Sequence, residues 1–137
     1  MSAVVSRTKG GDTEKMTINL GVVDLGQIDL LVQEGFYSNR TDLIRTAIRN
    51  QLSRHSDEIK RAVVDQTMTL GLRHVTRRDL EGVRARGEML AIRVVGLARI
   101  ADDVTAELAR ATIATITVLG AFQASAKVRN ALADRMR

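Results

Sequence analysis

The chain has 137 residues, of which 45% are hydrophobic, 27% charged and only 2% aromatic. This balance is typical of a globular protein with an aliphatic core and excludes a disordered chain. The absence of cysteine excludes a disulfide scaffold, a thiolate metal site and a cysteine nucleophile.

The formal net charge of +5 suggests an acidic partner such as nucleic acid, but the charge is unevenly distributed. Residues 1–66 contain nine Lys/Arg and nine Asp/Glu, whereas residues 67–137 contain twelve Lys/Arg and seven Asp/Glu. The whole excess therefore belongs to the C-terminal half.

The first fourteen residues are small and polar, include Gly10 and Gly11, and predict a flexible arm. They contain no apolar run of signal-peptide length, and no window of the chain approaches the roughly 18 apolar residues of a membrane span. We therefore expect a cytoplasmic protein without a membrane partner.

The stretch KMTINLG, residues 15–21, alternates polar and apolar side chains with period two, as in a half-buried strand. One face carries Met16, Ile18 and Leu20, and the other carries Lys15, Thr17 and Asn19. A lone strand leaves its backbone groups unpaired, whereas an antiparallel copy from a second chain would satisfy them by two-fold symmetry.

Two helices are predicted after the strand. In VVDLGQIDLLVQEG the apolar residues recur at helical spacing, with Asp24 as N-cap and Gly35 as the C-terminal stop. The second helix begins near Arg40 and extends to about Asp65, or is interrupted near His55.

The C-terminal half contains a weak internal repeat. LAIRVVGLARIADDVTAELA (90–109) aligns with ATITVLGAFQASAKVRNALA (114–133), and TMTLGLRHVTRRDLEGV (67–83) is a looser copy. Each unit predicts a strand, a turn at Gly71, Gly96 or Gly120, and a short helix, with the strands in a parallel sheet. The alternative is an ordinary α/β domain with chance similarity.

The sequence offers little for catalysis. His55 and His74 are the only histidines, and neither has the neighbours of a helical metal site. Asp102 and Asp103 predict an N-terminal cap for a repeat helix, not an acid–base dyad. We predict no catalytic residue, no metal site and no cofactor.

The strand KMTINL, the turn GFYSNRTD and the helical run LIRTAIR together resemble the ribbon–helix–helix DNA-binding superfamily of the MetJ/Arc type, over residues 14–54. The resemblance implies an α+β fold. After the arm of residues 1–14, a ribbon–helix–helix domain at 15–66 would form an intertwined homodimer. A small α/β strand–helix repeat domain would follow at 67–137.

The resemblance also implies roles in binding double-stranded DNA. Bases in the major groove would be read by Lys15, Thr17 and Asn19. A phosphate would be held by the backbone N–H groups of Ser38, Asn39 and Arg40 at the start of the second helix. Alternatively, the three strand residues are only a solvated face, and Ser38 and Asn39 are helix caps in either case.

The expected function is a transcriptional repressor or other regulator that binds DNA sequence-specifically. The alternative is an assembly protein, self-associating or antitoxin-like, whose C-terminal repeats make the main contacts. In both cases residues 67–137 could join dimers into higher oligomers. A second phosphate-facing patch, or simply a solvated face, is formed by Arg73, Arg77, Arg78, Arg84, Arg86 and Arg93.

Overall fold

The computed structural model describes residues 3–7, for their backbone only, and residues 12–137. Of the expected α+β fold, the mixture of helices and strands is confirmed, since the described chain has six α-helices, one antiparallel strand pair and one three-stranded sheet. The chain divides into two compact units, Met1–Arg61 (unit 1) and Ala62–Arg137 (unit 2). The predicted boundary after residue 66 lies slightly further along the chain.

Unit 1 begins with two antiparallel strands of the same chain. Strand β1 pairs with β2 so that Ala3 lies opposite Ile18 and Arg7 opposite Glu14. A flexible arm was predicted here; residues 1–2 and 8–11 of it lie outside the described residues. The elements are β1 (Ala3–Arg7), β2 (Glu14–Ile18), α1 (Val22–Gln33) and α2 (Arg40–Arg54), followed by α3 (Ser56–Asp65), whose last residues belong to unit 2.

The ends of α1 follow local rules that the sequence only partly revealed. Gly21 occupies the N-cap position and Asp24 lies within the first turn, so the prediction of Asp24 as N-cap was wrong. At the other end Gly35 has φ +85°, and the N–H of Phe36 donates to the carbonyl of Leu31 at 3.0 Å. This is a Schellman closure, which favours glycine at the left-handed position.

Unit 2 alternates strand and helix, and its strands run parallel in the order β3-β4-β5. A core of aliphatic side chains joins the sheet to the helices, with Ile92, Ile116 and Val128 completely buried. The elements are β3 (Thr69–Val75), α4 (Arg77–Ala85), β4 (Leu90–Ile100), α5 (Ala106–Thr112), β5 (Ile113–Gln123), α6 (Ala126–Ala131) and a 3₁₀ turn (Ala133–Arg135).

The three glycines of the repeat form a row across this sheet, because Gly71 lies opposite Gly96 and Gly96 opposite Gly120. Their φ angles are 118°, 137° and 121°. The prediction of turns at these glycines was wrong, since each strand continues through its glycine. A Cβ at Gly96 would lie 2.2 Å from the carbonyl oxygen of Gly71, and one at Gly120 would lie 2.1 Å from that of Gly96. This glycine row therefore permits a backbone approach that no other residue allows.

Candidate nucleic-acid interface

The polar strand residues lie on the surface of unit 1. Lys15 and Thr17 are exposed within β2, and Asn19 is exposed just after the last strand residue, Ile18. Two of the three predicted base-reading residues are thus in the strand itself, and the third extends from its end.

Strand β2 and helix α2 border an open apolar groove of about 650 Å³. Met16 is 54% and Ile48 46% exposed, although both are large aliphatic side chains. The groove's apolar lining residues are Met16, Ile18, Leu20, Ile44 and Ile48. This aliphatic part of the groove is suited to further aliphatic side chains. The other lining residues are polar or charged: Glu14, Lys15, Thr17, Thr41 and Arg45.

None of residues 12–61 is buried. The buried hydrophobic side chains described in the chain all lie between Val75 and Leu132, in unit 2. Helix α1 and helix α2 each have apolar positions that no part of the described unit covers. Because burial of apolar surface is the main stabilising contribution to folding, these uncovered positions are suited to pack against a further apolar surface.

The turn before α2 is fixed by its own side chains. The Asn39 side chain accepts a hydrogen bond of 2.8 Å from the N–H of Asp42, and the Asp42 carboxylate accepts one of 3.0 Å from the N–H of Ser38. The predicted Ser38 donor is therefore already occupied. Within the described chain, the N–H groups of Asn39, Arg40 and Thr41 have no acceptor.

The free donors at this helix start thus belong to residues 39–41, one position further along than residues 38–40. Thr41 was missed by the sequence reasoning. Asp42 lies three residues after the Asn39 cap, a spacing that favours a bond to the N–H of Asn39 itself, but its carboxylate accepts the N–H of Ser38 instead. Such free N–H groups, at the positive end of a helix dipole, can bind an anion.

Arg40 does not project freely from the helix start. Its guanidinium donates to both carboxylate oxygens of Asp29 on α1, at 2.7 and 2.8 Å. This hydrogen-bonded pair raises the pKa of Arg40 and lowers the pKa of Asp29. Both side chains are about half exposed, so a phosphate at this helix start could compete with Asp29 for the guanidinium.

The six arginines predicted as a second patch mostly have partners within unit 2. Arg77 pairs with Glu81, Arg84 with Glu107 and Arg86 with Glu88, while Arg93 donates to the carbonyl of Gln66. The guanidinium groups of Arg73 and Arg78 form no hydrogen bond or ion pair with any described residue. The six side chains are therefore not one uniform surface for phosphate.

Two other kinds of feature are absent from the described residues. No group of three His, Asp or Glu side chains is placed to hold a metal ion. In the same part of the chain, none of the helices has the length and apolar character needed to cross a membrane.

Comparison with known proteins gave one match. The model of the ribbon-helix-helix transcriptional regulator family matches residues 11–129. The matched stretch includes β2, all three helices that follow it and nearly all of unit 2. Comparisons with curated proteins and with solved structures gave no match.

Proposed function

The chain belongs to the ribbon-helix-helix transcriptional regulator family, and on this premise we propose that it recognises specific DNA sequences as a homodimer. Regulators of this family bind DNA and are typically dimeric. In the proposed complex the β2 strands of two chains form an antiparallel ribbon in the major groove. The observation that carries the proposal is the uncovered apolar groove beside β2, in a unit without buried side chains among residues 12–61.

A second copy of the chain supplies what unit 1 lacks. Its β2 strand would bring Met16 and Ile18 over the groove of the first chain, and the two-fold axis would repeat the contact. Full burial of one such side chain stabilises a fold by about 1.5–3 kcal/mol. Several of these burials per chain are enough to couple folding to dimerisation.

The polar face of the ribbon would then carry the reading residues. Lys15, Thr17 and Asn19 from each chain supply donors and acceptors for base edges, and a two-stranded ribbon fits a groove about 12 Å wide. The free N–H groups of residues 39–41 would hold a backbone phosphate on either side of the ribbon.

Strand β1 occupies one edge of β2 in the single chain. If β1 stayed paired on both chains, the ribbon would become a four-stranded sheet. With strands about 4.8 Å apart, that sheet is too wide for the major groove. We therefore propose that β1 leaves β2 when DNA binds. Deletion of residues 1–11 should then preserve or strengthen specific binding, and a large loss of affinity would contradict this displacement.

The reading role of the strand is tested by changing Thr17→Ala and Asn19→Ala together. The wild-type protein first selects its target from a random duplex library, and affinity is then measured on that target and on an unrelated duplex. Each lost base contact should weaken specific binding by about 1–3 kcal/mol and leave non-specific binding nearly unchanged. The matched control is Gln33→Ala with Asn50→Ala, two exposed polar helix positions. Wild-type discrimination in the strand variant would refute the proposal.

We also propose that unit 2 joins dimers into higher oligomers through the sheet face opposite its helices. On that face Leu70 is 57%, Leu72 59% and Leu119 58% exposed, and Leu70 and Leu119 lie in one row across the sheet. Parallel sheets are usually covered on both faces. Light scattering should give a mass above that of a dimer, which falls to the dimer mass in Leu72→Lys with Leu119→Lys. A wild-type protein that stays dimeric at high concentration would refute this association.

A further inference from the structure

The structure contains a cleft on unit 2 that the DNA-binding proposal does not use. It lies where the edge strand β3 meets helix α4 and has a volume of about 450 Å³. This arginine cleft is lined by Arg73, Arg78 and Arg86, by the apolar residues Val75, Val83 and Leu90, and by His74, Asp79 and Gly82. We propose that it binds a small organic phosphate, a dianion that carries an apolar body.

The placement of Arg73 is the first reason. Arg73 lies in a cross-strand row with Ala98 and Phe122, which are 1% and 4% exposed and belong to the core. Arg73, itself a half-buried residue, thus lies at the end of an apolar row. No hydrogen bond or ion pair joins its guanidinium to a described residue. Its charge interacts with the carboxylate of Asp79 without a direct ion pair, so its hydrogen-bond donors remain available to an anion in the cleft.

The charge of the cleft is the second reason. Arg78 is exposed and, like Arg73, has no ion-pair partner in the described chain, while Arg86 has only a 3.3 Å contact with Glu88. The one carboxylate in the lining is that of Asp79, which accepts the N–H of Thr76 at 3.0 Å in a capping box. Guanidinium groups bind phosphate through paired hydrogen bonds, so two or three of them at one cleft suit a dianion.

The glycine at position 82 is the third reason. Gly82 lies inside α4 and also lines the cleft. A glycine within a helix costs about 0.5–1 kcal/mol relative to alanine. Protein packing does not require this one, since an added Cβ would approach only the Arg86 guanidinium, at 3.3 Å. The glycine keeps open a space that is bounded by arginine on one side.

The apolar wall defines the class of ligand. Val75 and Val83 are buried and Leu90 is half-buried, so one side of the cleft is aliphatic. A volume of about 450 Å³ falls within the range of small-molecule sites. Inorganic phosphate would use only the arginines, whereas a phosphate monoester with an apolar group would also contact the wall.

Isothermal titration of the full chain with phenyl phosphate, inorganic phosphate and a DNA duplex tests the proposal. Phenyl phosphate should bind more tightly than inorganic phosphate, and Arg78→Gln should weaken its binding tenfold or more. Gly82→Leu should abolish binding by filling the cleft without changing its charge. The matched control is Arg77→Gln on the same helix, because Arg77 lies outside the cleft and pairs with Glu81.

The variants are checked by thermal unfolding, and a second change, Gly82→Ala, shows whether the helix tolerates a side chain at this position. The proposal is overturned if phenyl phosphate does not bind at millimolar concentration, or if it binds Arg78→Gln and Gly82→Leu as tightly as wild type. It is also overturned if Arg78→Gln weakens duplex binding while phenyl phosphate never binds, because the arginines then serve DNA. None of these outcomes depends on the ribbon being the DNA-reading element.

Discussion

The change Gly96→Ala tests the close approach of the strands in the glycine row. Alanine at φ +137° carries a conformational cost of about 1–3 kcal/mol. Its Cβ would also lie 2.2 Å from the carbonyl oxygen of Gly71, so β3 would have to move by nearly an ångström. Displacing packed structure in this way costs about 1–3 kcal/mol more. We expect the free energy of unfolding to fall by about 2–6 kcal/mol in total, which is a large part of the stability of an ordinary domain.

Gly71→Ala is the matched control for this experiment. Gly71 has φ +118°, yet nothing lies within 4 Å of an added Cβ, because β3 is the edge strand. The free energy of unfolding of Gly71→Ala should therefore fall only by the conformational cost of the positive φ, about 1–3 kcal/mol. Urea unfolding is followed by far-UV circular dichroism, since the chain has no tryptophan and its one tyrosine, Tyr37, belongs to unit 1. Equal losses in the two variants would show that the close approach does not limit packing.

Three further changes have defined outcomes. Asp29→Asn should release Arg40 from its ion pair and steepen the log–log salt dependence of DNA binding by about 0.9 per phosphate gained; an unchanged slope would show that Arg40 does not reach phosphate. The Thr76 N–H lowers the pKa of Asp79 below 3.8, so this carboxylate stabilises unit 2 above that pH and stops doing so as the pH falls through the lowered pKa. Asp79→Asn should therefore reduce the difference in urea stability between pH 7 and pH 3. Gly35→Ala, at φ +85°, should lower the thermal midpoint of the protein, and an unchanged midpoint would contradict the need for glycine there.

Local patterns predicted the mixed α/β class and the family, because both depend on residues close together in the chain. The alternation in KMTINL and the glycine after α1 have direct structural counterparts in β2 and the Schellman closure. The break between α2 and α3 at His55 was left open as an alternative, and the structure contains it. No glycine or proline marks it, which is why the sequence did not decide between the two possibilities.

The repeat alignment failed where loop length differs between units. Helices α4 and α6 are capped by Thr76 and Ser125, each five residues after its glycine, whereas Thr105 caps α5 nine residues after Gly96. The prediction that Asp102 and Asp103 cap a repeat helix was also wrong, since both precede Thr105, the N-cap of α5. The glycine turns were wrong for a related reason. A positive φ is as useful inside a strand, where backbones approach closely, as it is in a turn.

In the candidate interface, nearby carboxylates bind the same hydrogen-bond donors that a phosphate would use. A sequence pattern does not reveal this competition, because it depends on how the side chains are placed in space. Asp42 occupies the Ser38 donor and Asp29 occupies the Arg40 guanidinium. Each of these carboxylates weakens the local attraction for phosphate, in a half of the chain that already has equal numbers of positive and negative charges. Because phosphate contacts supply most non-specific affinity, one such dimer should bind DNA weakly, and its choice of sequence should depend mainly on base contacts. Several dimers joined to one another would bind DNA much more tightly than one dimer. Once the first dimer has bound, the others are held near their own sites at a high effective concentration. Association of dimers through the sheet face of unit 2 would therefore raise the DNA affinity most when the DNA-binding half, like this one, carries no net positive charge.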